Sequence, residues 1–147
     1  IQEDSMLIPG TNGGKMSKSA NNVINIFLED KALRKQIMSI ETDSTPLEDP
    51  KNPDTCNAFA IYKLLASESE IEIMKANYLG GNYGYGHAKQ ALFELIVEKF
   101  KTERAQYNYY MNNLAEVDEL LRKGAQKASA VANGVLAKVR AKLGFEN

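Results

Sequence analysis

Apolar positions recur along most of this chain at helical spacing, and polar and Gly/Pro-rich stretches cut the pattern into segments. Met6-Leu7-Ile8 is a short apolar run stopped by Pro9 and Gly10, which reads as the tail of a strand emptying into a loop. Asp30 is placed to cap a helix over residues 31–40, where Leu33, Ile37 and Ile40 share a face. Pro46, Pro50 and Pro53 then make residues 42–54 an extended or turning connection. A second helix is predicted from Asp54, with Phe59, Ile61, Tyr62, Leu64 and Leu65 as its apolar positions. Ser67-Glu68-Ser69-Glu70 has the capping-box pattern that opens a third, which Gly80-Gly81 should end.

After the turn at Asn82-Tyr83-Gly84-Tyr85-Gly86, one long helical pattern carries Phe93, Ile96, Val97, Phe100, Tyr107 and Met111 on a stripe, with Ala88, Leu92 and Leu95 beside it. So wide an apolar face predicts the central helix of a bundle. Asn113 offers another cap, Gly124 a candidate break, and Gly144 an end. Between them Ala125, Ala128, Ala132, Val135, Val139 and Leu143 form a face of small and branched residues that suits close helix approach. The expected class is all-α, a helical bundle preceded by a short strand and a glycine-rich loop. The pattern shows neither an internal repeat nor a low-complexity tract.

A chain of 147 residues with 44% hydrophobic content can bury a real core. Its net charge of -1 excludes a generally basic nucleic-acid binder, so any RNA contact must be local. The charges are uneven: residues 41–72 hold eight acids against Lys51 and Lys63, whereas residues 123–142 hold Lys123, Lys127, Lys138, Arg140 and Lys142 and no acid. Such a run usually lies on a solvated helix face, although it can also meet phosphates. Tyr109 and Tyr110 are candidate stacking surfaces for unpaired bases, while Tyr107 is assigned to the core stripe. One cysteine, Cys56, and one histidine, His87, give neither an internal disulfide nor a Cys/His metal cluster. A cytosolic setting fits best. No apolar run approaches the roughly 20 residues that span a bilayer, and the start, at Ile1, lacks a signal-peptide pattern. That start looks like a cut through a longer protein.

The candidate chemistry lies in Gly10-Thr11-Asn12-Gly13-Gly14-Lys15-Met16-Ser17-Lys18-Ser19. A Walker A loop would need glycine where Pro9 stands and a hydroxyl residue where Met16 stands, so that reading fails twice. Gly84-Tyr85-Gly86 is no dinucleotide fingerprint either, because Lys89 takes the third glycine's place and no strand precedes it. His87 follows at a helix start with no catalytic partner nearby, and reads as a first-turn polar residue.

Lys15-Met16-Ser17-Lys18-Ser19 reads KMSKS, and all five positions match the signature loop of class I aminoacyl-tRNA synthetases. When a carboxylate attacks the α-phosphate of ATP, charge builds on the departing pyrophosphate, and two lysines on a mobile loop can stabilise it. Asn21-Asn22, Asp43-Ser44-Thr45-Pro46, Pro53-Asp54, Gly84-Tyr85-Gly86 with Ala88-Lys89, and the Ala-rich last helix extend the likeness. Over essentially its whole length the chain resembles the tryptophanyl-tRNA synthetase family.

The resemblance implies Lys15 and Lys18 as catalytic residues, and Lys15, Met16, Ser17, Lys18 and Ser19 as the ATP-binding loop. It implies ATP with Mg2+, L-tryptophan and tRNA(Trp) as what the intact enzyme uses, and a homodimer. It makes residues 1–28 the end of a Rossmann-like catalytic domain, and residues 29–147 a helical domain that contacts the anticodon. The family's His-x-Gly-His motif is absent from this sequence, so the fragment alone is expected to be inactive. Two alternatives stay open: the tyrosyl branch, and a synthetase-like RNA-binding module without ligase activity.

Overall fold

The computed structural model describes residues 7–145, and every regular element among them is helical. The chain divides into two compact units, Ile1–Arg104 and Ala105–Asn147.

In the first unit, helix α1 (Asp30–Met38) buries Leu33 and Ile37, and Ile40 follows them into the core. Asp30 lies inside the first turn and is not the cap. Glu29 holds the cap position without a side-chain hydrogen bond. The Asp30 carboxylate still suits a helix N-terminus, and it accepts from Arg104 Nη2 at 2.5 Å.

The proline-rich connection ends in a single 3-10 turn, Pro53–Thr55, capped by Asn52 Oδ1 on the Asp54 amide at 2.9 Å. The expected single helix from Asp54 is therefore split. Cys56 takes an extended conformation before helix α2 (Asn57–Lys63), and this sends its thiol to the buried Tyr78 hydroxyl, 3.2 Å away.

Ser67 builds the expected capping box, its amide donating to Glu70 Oε2 at 2.7 Å, and opens helix α3 (Glu68–Gly80). Gly81 ends it at φ 72°, where a Cβ would also stand 2.5 Å from the Glu48 carbonyl oxygen. Only glycine meets both conditions.

Helix α4 (Tyr85–Lys99) buries Ala88, Leu92 and Ile96 at spacings of four and packs on both α1 and α2, as a central helix should. The predicted stripe does not continue as one helix. Phe100 breaks it at φ -103°, ψ 19°, and packs its ring on the core, so that helix α5 (Lys101–Asn112) starts afresh. Tyr107 and Met111 lie past that break and are 40% and 52% exposed, which corrects the core assignment of both. Around Tyr78 the rings of Phe59, Tyr83 and Tyr85 gather with centroids 5.6, 5.8 and 6.1 Å away, in the tilted and edge-on arrangements that aromatic pairs favour.

The second unit holds the end of α5 and the 30-residue helix α6 (Leu114–Leu143). Gly124 does not break α6. A right-handed helical glycine costs only about 1 kcal/mol relative to alanine, and its neighbours are good helix formers. Asn113 holds the cap position of α6 as expected, but without a side-chain cap bond, since its side-chain amide donates back to the Tyr109 carbonyl at 2.7 Å. Gly144 closes the helix in the left-handed region at φ 75°. The face of Ala128, Ala132, Val135, Val139 and Leu143 is exposed along its whole length. Among the described residues no helix is long and apolar enough to cross a membrane.

The expected strand at residues 6–8 is not formed among the described residues; Met6 lies outside them. Pro9 and Lys15 make one isolated antiparallel bridge, and the Met16 amide donates to the Ile8 carbonyl at 2.9 Å. The loop leaves and returns over too few residues for a ladder, and Pro9 has no N–H to extend one.

Candidate functional site

The glycine-rich loop is a closed turn with a short tail. The Gly10 amide donates to the Gly14 carbonyl at 2.7 Å, and Gly13, at φ 76°, donates back to Gly10. A Cβ on Gly13 would run into the Asn57 amide, which holds the Glu41 carbonyl at 3.0 Å. The Glu41 amide in turn donates to the Thr11 carbonyl at 2.7 Å. The loop base is thus tied to the segment after α1 and to the start of α2.

Within the signature, Lys15, Lys18 and Ser19 are exposed, whereas Met16 and Ser17 are half-buried. Among the described residues neither lysine forms an ion pair. The turn thus presents two exposed ammonium groups, a chemistry suited to a polyanion.

The Ser17 hydroxyl accepts from the Ala20 amide at 3.1 Å and lies 3.3 Å from the Ser19 hydroxyl. The serines therefore shape the turn that carries Lys18. Met16 points the other way. It packs against the core and lines an open apolar cavity of about 320 Å³, with Ile8, Ile24, Ile61, Leu65 and Phe100 also in its wall.

Asn21 and Asn22, which belong to the family likeness, were given no role from the sequence, and the structure shows what they hold. Asn22 is 3% exposed, and its side chain bonds Asn12, Lys15 and Ser17. Asn21, at φ 51°, supplies the left-handed step that turns the chain inward, a conformation that asparagine tolerates.

The other candidates resolve separately. His87 Nδ1 accepts from the Gly84 amide at 3.3 Å, and its ring lies 5.5 Å from that of Tyr83. It is a helix-start residue, as read from the sequence. The Tyr109 hydroxyl donates to Glu116 Oε2 at 2.6 Å, and that bond to a carboxylate pushes its pKa up. The Tyr110 ring packs edge-on at 5.4 Å from it. In the basic run, Lys123 lies 3.5 Å from Glu119, which also takes both arms of Arg122 at 2.8 and 3.0 Å. Lys127, Lys138, Arg140 and Lys142 are exposed on α6.

Outside the loop, Lys51 is a polar residue that the sequence did not single out. Its ammonium is buried and donates to the carbonyls of Pro46, Asp49 and Leu47 at 2.7, 3.0 and 3.3 Å, with the Tyr85 ring centroid 5.5 Å away. Asp43 closes the same corner. Its Oδ1 accepts from the Thr45 amide at 2.9 Å and the Tyr85 hydroxyl at 2.7 Å. The bonds from Thr45 and then Tyr85 hold the Asp43 carboxyl below its ordinary range. Burial first, and then the bond to Asp43, push the Tyr85 hydroxyl up to about 12.

Known proteins resemble the chain in sequence and fold. The profile of the tRNA synthetases class I (W and Y) matches residues 2–101. A tryptophan–tRNA ligase of Fusobacterium nucleatum is 47% identical over 132 residues, which are 90% of this chain and 40% of that protein. One from Campylobacter jejuni is 43% identical over 145 residues, 99% of this chain and 46% of that protein. The crystal structure of the Campylobacter jejuni tryptophanyl-tRNA synthetase complexed with ADP and tryptophan matches with a TM-score of 0.91 at 44% identity, covering 97% of this chain and 44% of that one. The chain spans less than half the length of these relatives. On this profile and these matches, the chain belongs to the class I tRNA synthetases of the W and Y family, and the relatives it follows over nearly its whole length are tryptophan–tRNA ligases.

Proposed function

We propose that this chain is the loop-bearing and helical part of a tryptophan–tRNA ligase, whose parent protein activates L-tryptophan with ATP and passes it to tRNA(Trp). The observation that carries the reading is the pair of exposed lysines, Lys15 and Lys18, on a KMSKS turn, in a chain at 43–47% identity to tryptophan–tRNA ligases. The Campylobacter jejuni relative's structure with ADP and tryptophan supports the choice of substrates.

In the reaction a carboxylate oxygen of tryptophan attacks the α-phosphorus of ATP. The bond from that phosphorus to the bridging oxygen breaks, and pyrophosphate leaves with the charge. Lys15 and Lys18 meet that charge, which is larger in the transition state than in bound ATP, so their contribution falls on the rate. Met16, Ser17 and Ser19 complete the ATP-binding loop, Met16 through its apolar contact below and the serines through the turn geometry.

Mg2+ belongs to the nucleotide in this scheme. The loop offers ammonium and hydroxyl groups, and among the described residues no group of three His, Cys, Asp and Glu side chains could hold a cation. Residues 1–28 then form the end of the catalytic domain, and residues 29–147 the helical part that meets tRNA. The exposed bases of α6, with Tyr110, are the candidates for that contact. As the family resemblance implies, the parent acts as a homodimer.

Lys15→Ala and Lys18→Ala in the full-length parent test the assignment. Each should slow adenylate formation by roughly 100-fold, the scale for losing one preorganised charge-stabilising donor, with tryptophan affinity unchanged within about two-fold. Equal losses in rate and in tryptophan binding contradict the role.

A further inference from the structure

We infer that Asn22 is a positioning residue for the reaction, fixing the turn on which Lys15 and Lys18 stand although it touches neither ammonium. The inference rests on the reading of the loop as the one that meets pyrophosphate.

Asn22 is 3% exposed in a stretch where Lys18, Ser19, Ala20 and Asn21 all face solvent. Its amide nitrogen donates to Asn12 Oδ1 at 2.7 Å and to the Lys15 carbonyl at 3.0 Å, while its Oδ1 accepts from the Ser17 amide at 2.8 Å. Its own carbonyl accepts from the Thr11 amide at 3.0 Å. The orientation of the side chain follows from these partners. A backbone N–H can only donate and a backbone carbonyl can only accept, so the oxygen faces Ser17 and the nitrogen faces Lys15.

One side chain therefore holds the arm entering the loop, at Asn12, and the active segment on both sides of Met16. Lys15 is fixed by its carbonyl, and the turn to Lys18 is fixed at its first amide. Asn12 extends the hold, because its Oδ1 also accepts from the Gly14 amide at 3.1 Å. Gly10 makes room for it: a Cβ there would overlap the Asn22 amide and stand 2.6 Å from the Asn22 carbonyl oxygen. A buried amide satisfied by both sides of a loop restrains the loop's shape, and a misplacement of about 1 Å at a catalytic group is enough to cost on the order of 100-fold in rate.

Asn22→Asp in the full-length parent is the test. It keeps the shape and the acceptor for Ser17, but sets an oxygen against the Lys15 carbonyl and Asn12 Oδ1. The expected result is a fall in kcat for tryptophan-dependent ATP–pyrophosphate exchange of roughly 10- to 100-fold, with KM for tryptophan within about two-fold of the parent. In a Lys15→Ala, Lys18→Ala background the same substitution should change single-turnover adenylate formation by less than about two-fold, because nothing remains for Asn22 to place. Asn12→Ala, at an exposed position, should reproduce the split more weakly if Asn22→Asp does not fold.

An unchanged kcat in both variants overturns the inference, and so does a loss that multiplies fully in the lysine-free background, which would mark Asn22 as a purely structural residue. Exchange that survives both lysine substitutions, or is absent from the parent, removes the reading of the loop itself and the inference with it.

Discussion

At the scale of single residues, the groups that hold this molecule's corners are polar ones with several partners. Lys51 is the clearest. Its ammonium gathers the carbonyls of Pro46, Leu47 and Asp49, and its backbone amide donates to the Tyr78 carbonyl at 2.7 Å. Lys51→Met keeps most of the volume but leaves three part-buried carbonyls without their donor, so it should lower stability by about 1–2 kcal/mol in denaturant unfolding. A change under about 0.5 kcal/mol would mean that water replaces the ammonium. Asp43 sets a pH dependence at the same corner. Its carboxyl is held below the ordinary range by Thr45 and Tyr85, so its contribution is fully present above the unfolded value of about 4 and is lost as pH falls through the folded one. Hydrogen exchange at the Thr45 amide should therefore accelerate beyond its intrinsic rate as pH falls below about 4, and Asp43→Asn should flatten that response. The Lys-Met-Ser-Lys-Ser run was legible in the sequence because its five residues are contiguous. Lys51 was not, and Asn22 showed only as part of the family likeness, because both act through partners that only the folded connection and the closed loop bring to them.

At the scale of elements, periodicity and end signals located five helical segments, which the structure divides into six α-helices among the described residues. The Ser67 box and Gly81 were readable because capping depends on residues within one turn. The break at Phe100 was not, since the stripe runs through it in sequence and only the packing of the Phe100 ring on the core turns the chain there. Tyr107 was misassigned for the same reason. Gly124 erred the other way. Glycine is a weak breaker when its backbone stays right-handed, and nothing lies within 4 Å of a Cβ placed there. Gly124→Ala should therefore stabilise α6 by about 1 kcal/mol, seen as a higher melting temperature in circular dichroism. A fall in stability would show that the glycine serves a close approach by some other surface.

At the scale of the whole molecule, two compact units carry different chemistry. Ile1–Arg104 holds the KMSKS turn above an apolar cavity walled partly by Met16, and Ala105–Asn147 carries the acid-free basic stretch of α6. The class was legible from the loop alone and the tryptophanyl branch from the motifs around it, but no residue of the chain was identified as contacting the amino-acid side chain, so the choice of amino acid was carried by likeness and not by a pocket. That choice rests on identity to tryptophan–tRNA ligases over less than half of their length. The most direct test of the central claim is amino-acid-dependent ATP–pyrophosphate exchange by the full-length parent, run with each of the twenty amino acids. Exchange with tryptophan alone is the expected result. Exchange with tyrosine alone, or with none of the twenty, would contradict it.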